Sequence, residues 1–391
     1  MSGQLNIAIV GAGIGGLALA AALATRGHDV RVFDRFDAPA PVGSGLVIQP
    51  VGQRVLHKLG IGHAVEELGQ KLFRMLGTEA AQDRVVLDVT YDAPALPLFG
   101  LAIHRAALFS CLLDAARRAG ANLIAGQEVT TAASGYVETA QDRHGPFDLI
   151  VDASGAGSVL SPIKARGLGY GALWATVDWP EDTDLPMDEL RQRYKQARHM
   201  VGVLPIGQMD HQKNTQKAAI FWSLPARDYN VWRARGLAQW KKEAAVLWPD
   251  FTPFTSQIEH VDQMTMARYA HGTLLRPYTR DVVFIGDAAH RASPQLGQGA
   301  NMALLDAWSL AQAVGSANGD MAKAARSYAQ ARRWHVQAYQ AMSKAFTPMY
   351  QSNSRILPVL RDRVLAPMAM HPRMRRMLTR LVCGDLLPPA Q

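Results

Sequence analysis

The chain has 391 residues, of which 48% are apolar, and it carries a formal net charge of +8. This length is too great for one compact core, so we expect two domains. The apolar content excludes a long disordered protein. Cys111 and Cys383 are its two cysteines, which excludes a disulfide scaffold and fits a reducing cytoplasm. The sequence contains no nucleic-acid-binding motif, and a basic charge alone does not predict such a partner.

The first predicted elements form a βαβ unit. Residues 7–24, IAIVGAGIGGLALAAALA, carry no charge and are long enough to suggest a membrane span. Four glycines and a β-rich start favour instead a strand over 5–10, a glycine turn and a helix over about 14–26. Gly27 then stands where a helix C-terminal cap is expected, before a strand over 29–34. The sequence therefore predicts no transmembrane segment here.

The glycine turn has the spacing of a dinucleotide-binding motif. Gly11, Gly13 and Gly16 allow a tight turn and close approach of the backbone, so that a pyrophosphate can lie on the helix N-terminus. Asp34, 18 residues after Gly16, ends the second strand and can accept hydrogen bonds from a ribose. A tight structural turn is the alternative. Arg35 has two interpretations, a contact to the adenosine side and a surface residue.

The middle of the chain changes in character. A strand and a helix are predicted in GSGLVIQPVGQRVLHKLG (43–60), a helix over 105–119 and a buried strand over 147–153. Residues 170–270 show short alternating runs and hold six of the eight Trp residues, which predicts a mostly-β domain whose sheet has one covered face. DVVFIGDAAH (281–290) returns to the first pattern. We therefore predict a parallel α/β domain that is interrupted by a mostly-β domain and then resumed.

The C-terminal segment is basic and amphipathic. From residue 346 onward it contains seven Arg and two Asp, so +5 of the net charge lies here, and Leu and Met alternate with Arg at helical spacing. We predict a helical segment packed on the main body. The alternatives are a helix at a membrane surface and a face that attracts anions.

The loop GDAAHRASPQLGQGAN (286–301) lies between a predicted strand and a predicted helix. Asp287 stands at the end of the strand, where a carboxylate without partners is costly, so donors such as ligand hydroxyls are expected. Gly297 and Gly299 let the backbone approach a planar ligand. The positive end of the helix dipole, near Gly299–Asn301, stabilises negative charge, as on the N1–C2=O edge of a reduced flavin.

Three stretches in register resemble the class A FAD-dependent aromatic monooxygenases, which have the para-hydroxybenzoate hydroxylase fold. They are GAGIGG with VFDR, then IHRAAL around Arg105, then GDAAHRASPQLGQGANMALLDAW, and they span nearly the whole chain. The resemblance implies an α/β fold class: a Rossmann-like FAD-binding domain with an inserted mostly-β substrate domain and a C-terminal helical segment. The thioredoxin-like domain of longer members is not expected. PVGSGLVIQP (41–50) looks like the loop that frames a mobile flavin ring.

The domain limits that we predict follow this division. The FAD-binding domain comprises 1–73, 98–169 and 271–345, the substrate domain comprises 74–97 and 170–270, and the helical segment comprises 346–391.

The resemblance also implies which residues hold the cofactor. Asp287 is expected to bind the ribityl chain, Arg105 to lie on the adenosine and pyrophosphate side, and Pro294 to border the place where oxygen adds. The predicted FAD-binding residues are Gly11, Gly13, Ile14, Gly15, Gly16, Asp34, Arg35, Arg105, Val129, Ser154, Gly155, Gly286, Asp287, Pro294, Gly297, Gln298, Gly299, Ala300 and Asn301. We name no catalytic residue, because in this family no side chain need donate the oxygen, and we predict no metal site.

The function that the resemblance implies is an FAD-dependent monooxygenase. It would hydroxylate an aromatic or other electron-rich small molecule with NADPH or NADH and O2, through a flavin C4a-hydroperoxide. A substrate base, if one is needed, is expected from 170–270. The alternatives are a reductase or halogenase of the same fold and a flavin-binding protein without turnover at a membrane surface. The Trp-x-Trp-x-Ile-Pro signature of halogenases is absent from the sequence.

We expect a cytoplasmic monomer or homodimer that binds no nucleic acid. At most, the Arg-rich tail makes a weak contact with a membrane surface. His104, His271 and His290 have no metal-ligand spacing and are expected to be structural.

One segment departs from the family pattern. In DLIVDASGAGSVLS (148–161), most relatives carry Asp-Gly followed by a Ser and an Arg, whereas here Ser154 and Ser161 replace the Asp and the Arg. We expect FAD to bind nonetheless. Reduction by NAD(P)H is expected to be slow, dependent on bound substrate or delegated to another donor, because a Ser cannot orient a neighbour by charge. A Ser that only caps the same turn is the alternative.

Overall fold

The computed structural model describes residues 3–37, 44–91, 98–209 and 215–387. The strands are β1 Asn6–Val10, β2 Asp29–Phe33, β3 Gly45–Ile48, β4 Gln70–Leu72, β5 Arg74–Glu79, β6 Val85–Thr90, β7 Gly100–His104, β8 Asn122–Ile124, β9 Thr131–Ala133, β10 Tyr136–Glu138, β11 Arg143–His144, β12 Leu149–Asp152, β13 Arg166–Asp178, β14 Glu189–Lys195, β15 His199–Pro205, β16 Lys217–Pro225, β17 Thr265–Thr273, β18 Val283–Phe284 and β19 His290–Arg291. The helices are α1 Ile14–Ala24, α2 Pro50–Lys58, α3 Gly62–Leu68, α4 Arg105–Arg118, α5 Tyr229–Leu247, α6 Thr252–Ser256, α7 Gly299–Ser316, α8 Met321–Tyr350, α9 Leu357–Leu360, α10 Ala366–Ala369 and α11 Pro372–Cys383.

A parallel five-stranded sheet forms the first layer, in the order β18-β12-β1-β2-β8. Its central strand β1 is apolar from Ile7 to Val10 because both faces of a parallel sheet are covered. Helices α1, α4 and α7 pack with these strands in one continuous apolar core. This architecture confirms the predicted α/β fold class.

A second, eight-stranded sheet has the order β19-β17-β13-β16-β15-β14-β5-β6. Its pairs are antiparallel except β14 with β5. One face packs against the helices α5 and α6, and the buried rings of Trp222, Trp232 and Trp240 lie in this layer. The alternating pattern of 170–270 predicted the sheet with a covered face, whereas helix α5 in the same region was not predicted. Most of the Trp residues there belong to the helix–sheet core.

Two connections hold the sheets together beside the loop 286–301. Strand β17 pairs with β19, which immediately follows the turn of Asp287. Strand β3 packs on the eight-stranded sheet, since a Cβ at Gly45 would lie 2.9 Å from the Cβ of Ala219. The chain order of the strands agrees with a first domain that is interrupted and resumed, while the exact domain limits stay a prediction.

The C-terminal segment folds back on the body as predicted. Thr379, Leu381 and Cys383 of α11 are buried. The Tyr339 hydroxyl on α8 donates to the backbone oxygen of Leu381 at 2.9 Å. In the described part of the chain, no helix is long and apolar enough to cross a membrane.

Candidate functional site

The turn after β1 is shaped by its glycines. Gly11 has φ of +101°, and a Cβ there would lie 2.6 Å from the Cα of Ser154. A Cβ at Gly16 would lie 2.0 Å from the backbone oxygen of Gly11. These two positions therefore need glycine for the fold itself. At Gly13 the nearest protein atom would be 4.0 Å from a Cβ. The protein therefore leaves an open space beside Gly13, which we call the cradle.

Two helix N-termini meet at this cradle. Gly13 precedes α1 and Gln298 precedes α7, and neither helix has a side-chain cap. The helices are in contact, since a Cβ at Gly15 would lie 3.4 Å from the Cβ of Ala303. Both N-termini line one cleft of about 500 Å³. Free N–H groups and the positive ends of two helix dipoles therefore face the same space, which favours an anionic ligand.

Two acids line the cleft in different environments. The carboxylate of Asp34 accepts hydrogen bonds from the backbone N–H groups of Ala12 at 2.7 Å and Phe36 at 3.0 Å. Asp287 was predicted at the end of the buried strand, but that strand, β18, ends at Phe284, and Asp287 lies in the following 3-10 turn with its side chain exposed to the cleft. The cleft walls desolvate this carboxyl and raise its pKa, against the opposing charges of His290, Arg105 and Arg291.

Most of the predicted site residues lie together on this cleft. The lining includes Gly11, Gly13, Ile14, Gly15, Asp34, Arg35, Arg105, Val129, Ser154, Gly155, Gly286, Asp287, Gly299 and Ala300. They come from the carboxyl ends of β1, β2 and β12, from the loop after β8, from the turn after β18 and from three helices. Ligand sites of open α/β sheets occupy this edge.

Five predicted residues lie beside the cleft and do not line it: Gly16, Pro294, Gly297, Gln298 and Asn301. The buried Asn301 side chain accepts from the N–H of Gln49 at 2.8 Å and donates to the backbone oxygens of Val47 and Gly297. Gln298 donates to the backbone oxygen of Val382 on α11 at 2.7 Å. These contacts position the loop before α7 against β3 and the C-terminal segment.

Several lining residues were missed by sequence reasoning. Gln127 and Glu128 directly precede Val129 in the lining. The other missed lining residues are Val10, Ala12, Phe33, Phe36, Phe109, Ala153, Ala156, Gly157, Val159, Ile285 and Ala303. Six of them, Gln127, Glu128, Ala153, Ala156, Gly157 and Val159, lie in the loops that follow β8 and β12, and this position was the available signal. Ala12, Phe33 and Ala303 lie inside the motifs quoted above, so a signal for them was available in the sequence.

The segment after β12, which departs from the family pattern, is held by hydrogen bonds to a buried acid. Asp152 is fully buried and accepts from the Ser154 hydroxyl at 2.6 Å and the Ser154 N–H at 2.9 Å, and the Ser158 hydroxyl donates to it as well. The Ser161 hydroxyl donates to the backbone oxygen of Ala288 at 2.6 Å, beside Asp287. These hydrogen bonds of Ser154, Ser158 and Ser161 therefore hold the turn against the cleft.

A buried network behind the loop was also missed. Asp306 on α7 accepts from the backbone N–H of Gly286 at 2.9 Å, from His290 at 2.6 Å and from Arg332 at 2.8 Å. Burial opposes the charge of Asp306, but His290 and Arg332 hold its pKa well below the usual range. The Arg332 guanidinium also donates to Nδ1 of His335 at 3.1 Å. The network braces the turn that presents Asp287.

His104, His271 and His290 were expected to be structural, and each makes a hydrogen-bond contact within the fold. His290 is part of the Asp306 network. His104 accepts from the N–H of Ala106 at 3.1 Å at the start of α4, and His271 lies 3.3 Å from the Ser343 hydroxyl. In the described ranges there is no cluster of His, Cys, Asp and Glu that fits a metal ion.

The cleft fits a ligand with a diphosphate and several hydroxyl groups. Uncapped N–H groups and the cradle at Gly13 suit the diphosphate, while the carboxylates of Asp34 and Asp287 can accept from hydroxyls. The sequence model of a family described as the FAD binding domain matches residues 4–148 and 194–343. The chain belongs to this family. Its cofactor is FAD.

Similar proteins cover nearly the same length as this chain. The 3-amino-4-hydroxybenzoate 2-monooxygenase of Streptomyces cremeus is 27% identical over 366 residues, which cover 84% of this chain and 83% of the relative. The 6-hydroxynicotinate 3-monooxygenase of Pseudomonas fluorescens is 26% identical over 346 residues, which cover 82% of this chain and 86% of the relative. The chain is an FAD-dependent monooxygenase of the aromatic hydroxylase class. The structure of Klebsiella pneumoniae HpxO with FAD and uric acid superposes with a TM-score of 0.82 at 21% identity and covers 98% of both chains, which shows the shared fold.

One part of the predicted flavin-framing stretch of this monooxygenase lies outside the described residues, namely 41–43. The rest of the stretch forms strand β3 and the start of α2. Through Asn301, this strand is fastened to the N-terminus of α7.

Proposed function

We propose that the chain hydroxylates an aromatic or other electron-rich small molecule, with NADPH or NADH as reductant and O2 as oxygen source. The observation that carries this proposal is the convergence of two uncapped helix N-termini and the exposed carboxylate of Asp287 on one cleft. FAD, when bound, supplies the electron transfer and the oxygen activation. The two relatives described above are named for the hydroxylation of aromatic rings, which supports the same reaction class.

The family resemblance and the cleft geometry together support the following residue roles. The N-terminus of α1 binds the pyrophosphate, and Asp34 accepts from the ribose. Asp287 accepts from the ribityl hydroxyls, and the dipole of α7 stabilises negative charge on the reduced ring. Pro294 starts a 3-10 turn beside this helix, at the proposed side of oxygen transfer.

The test is oxidation of NADH and NADPH by the purified protein with a panel of phenols and polycyclic aromatic compounds. We expect at least one compound to stimulate both reductant oxidation and O2 uptake, and to gain one oxygen atom from labelled O2. A product reduced without added oxygen would support the reductase, and a halide-dependent product would support the halogenase. Oxidation that no compound stimulates, with no oxygenated product, contradicts the proposal.

A second candidate role is contact with a membrane surface through the tail. Apolar side chains are exposed there, with Ile356 exposed to 78% and Met370 to 60%, and others beside them: Val359, Leu360, Val364 and Met368. Arg355 and Arg363 lie in the same stretch and complement anionic lipid.

Flotation with vesicles of phosphatidylcholine and phosphatidylserine tests this role. Ile356→Ser with Met370→Ser should reduce flotation, whereas Val246→Ser, at a position on α5 exposed to 87%, is the matched control. Equal flotation of all three proteins, or flotation of none, contradicts the contact. The predicted monomer or homodimer is tested separately by light scattering.

A further inference from the structure

A glutamine at the end of strand β3 carries a hydrogen-bond donor that the protein leaves unpaired. Gln49 follows β3 and is fully buried. Its backbone N–H donates to Asn301 at 2.8 Å, but its side-chain Nε2 is buried and meets no acceptor in the described part of the chain. Because a buried donor without an acceptor is costly, this amide marks a place where a ligand can supply the missing partner.

The Nε2 atom of Gln49 lies against the loop before α7. Apart from the chain neighbours of Gly297, the described atom nearest to a Cβ at that glycine would be this nitrogen, at 3.8 Å. Gly297 is exposed, and Gly299 and Ala300, which follow it in the same loop, line the cleft. Gln49 therefore lies at the α7 end of the cleft, where the positive end of the helix dipole favours negative charge on a ligand.

Tyr91 fixes the direction of the Gln49 amide. The Tyr91 hydroxyl donates to Oε1 of Gln49 at 2.8 Å, so the other end of the amide, Nε2, points away from the tyrosine. Burial raises the pKa of Tyr91 far above its usual range, which keeps the proton on the hydroxyl. Exchanging the two ends of the amide would leave this proton without its acceptor. Gly100 gives the hydroxyl room, since a Cβ there would lie 2.4 Å from its oxygen.

We propose that Nε2 of Gln49 donates a hydrogen bond to a ring oxygen of bound FAD, and that Tyr91 is its positioning residue. This inference rests on the part of the proposed function that places the flavin ring at the N-terminus of α7. The pyrimidine part of that ring carries carbonyl oxygens, which gain negative charge when the flavin is reduced. Because a hydrogen bond to a charged acceptor is stronger than one to a neutral acceptor, Gln49 should bind reduced FAD more tightly than oxidised FAD.

The test measures the reduction potential of bound FAD in wild type and in Gln49→Met, whose side chain has a similar size and no donor. Dithionite supplies the electrons and a dye of known potential reports the equilibrium, so neither NAD(P)H nor a substrate is needed. We expect Gln49→Met to bind oxidised FAD about threefold to tenfold more weakly, and reduced FAD more weakly by a further factor of about three to ten. This further factor lowers the two-electron potential by about 15–30 mV.

Two more variants separate the hydrogen bond from a general disturbance of the fold. Tyr91→Phe removes only the hydroxyl that orients the amide of Gln49, so it should lower the potential by a smaller amount. Gln53→Met is the matched control, because Gln53 donates to the backbone oxygens of Ile48 and Phe99, each at 2.8 Å. It should leave the potential unchanged.

Each outcome bears on a stated idea. A wild-type potential in Gln49→Met overturns the inference, and so does an equal fall in Gln53→Met. A fall in Gln49→Met alone keeps the donor and overturns the role of Tyr91. If Gln49→Met does not retain FAD, Tyr91→Phe decides, and a wild-type potential there overturns the inference. The hydroxylase proposal is judged separately by its products, since these potentials are measured without substrate.

Discussion

Two acids within twenty residues of each other show how surroundings decide the role of a side chain. Asp306 is fully buried, and a backbone N–H, His290 and Arg332 all bond to it. Asp287 opens on the cleft, and within the described ranges no hydrogen bond from the protein reaches its carboxylate. The hydrogen bonds to Asp306 are satisfied by the protein and stabilise the fold, whereas Asp287 can still accept hydrogen bonds from a ligand.

Asp287→Ala is predicted to weaken FAD binding without unfolding the protein. A hydrogen bond from a hydroxyl to a carboxylate contributes ~1.5–3 kcal/mol, so affinity should fall roughly tenfold to a hundredfold. Titration of the apoprotein with FAD measures this change. Asp287→Asn, which keeps the shape and one acceptor oxygen, is the control and should fall in between. Wild-type affinity in the alanine variant would assign Asp287 a structural role.

His335 is predicted to make stability depend on pH below neutrality. Its Nδ1 accepts from Arg332 and its Nε2 donates to the backbone oxygen of Gly384, so the ring is neutral. Burial, followed by the charge of Arg332, lowers its pKa from 6.5 to about 4. Between these values the unfolded chain binds more protons than the folded one, so stability falls as the pH falls from 6.5 to 4.

Protonation of His335 should lower the free energy of unfolding by at most about 3 kcal/mol over this pH range. Denaturant unfolding of wild type and His335→Gln across this pH range measures it. The variant should be less stable at pH 7 but should lose less stability on acidification. Parallel curves for the two proteins would contradict the assignment.

At the scale of single elements, two glycines in the turn between β1 and α1 have different roles. One is expected to matter for FAD binding and the other for folding. Gly13→Ala meets no protein atom closer than 4.0 Å, so its cost to the free energy of unfolding should be less than about 1 kcal/mol. The added methyl group fills the cradle, and FAD binding should fall strongly. Gly16→Ala is the matched variant, because its Cβ would lie 2.0 Å from the oxygen of Gly11. It should destabilise the apoprotein by ~1–3 kcal/mol or more.

Thermal unfolding of both apoproteins and FAD titration separate the two effects. If Gly13→Ala binds FAD like wild type, the cradle does not hold the pyrophosphate. If Gly16→Ala is as stable as wild type, the close approach inferred at this turn is wrong.

The segment after β12 carries a prediction about flavin reduction. Ser154 and Ser158 both donate to the buried Asp152, so they hold the turn, yet they supply no charge at the cleft. We expect reduction by NAD(P)H to be slow or to depend on bound substrate. Stopped-flow reduction of wild type with and without a stimulating substrate measures this, and fast reduction without substrate contradicts it. Ser154→Asp with Ser161→Arg should reduce faster if it folds, although its new carboxylate would lie against Asp152.

On the scale of the whole molecule, the C-terminal segment fastens three parts of the body. Gln298 before α7 donates to Val382, Tyr339 of α8 donates to Leu381, and Thr379 donates to the backbone oxygen of Thr90 on β6. Truncation after residue 370 removes helix α11 and these bonds. It should lower Tm by more than about 5 °C and weaken FAD binding as well. Differential scanning fluorimetry and FAD titration check both effects, and a truncated chain that matches wild type in both contradicts the role.

The sequence alone predicted the elements whose signals are local. The β1 turn needs glycine at Gly11 and Gly16 for close backbone approach, β1 is continuously apolar from Ile7 to Val10, and α7 follows a glycine-rich loop. Each of these features depends on residues that are close together in the sequence, so spacing and periodicity predict it.

Only the tertiary structure decided which distant residues meet. Asp306 is joined to Arg332 and, through it, to His335 and Gly384, and Gln127 reaches the cleft from the far end of β8. Such contacts depend on packing and strand pairing between separate elements, which the local sequence pattern does not predict.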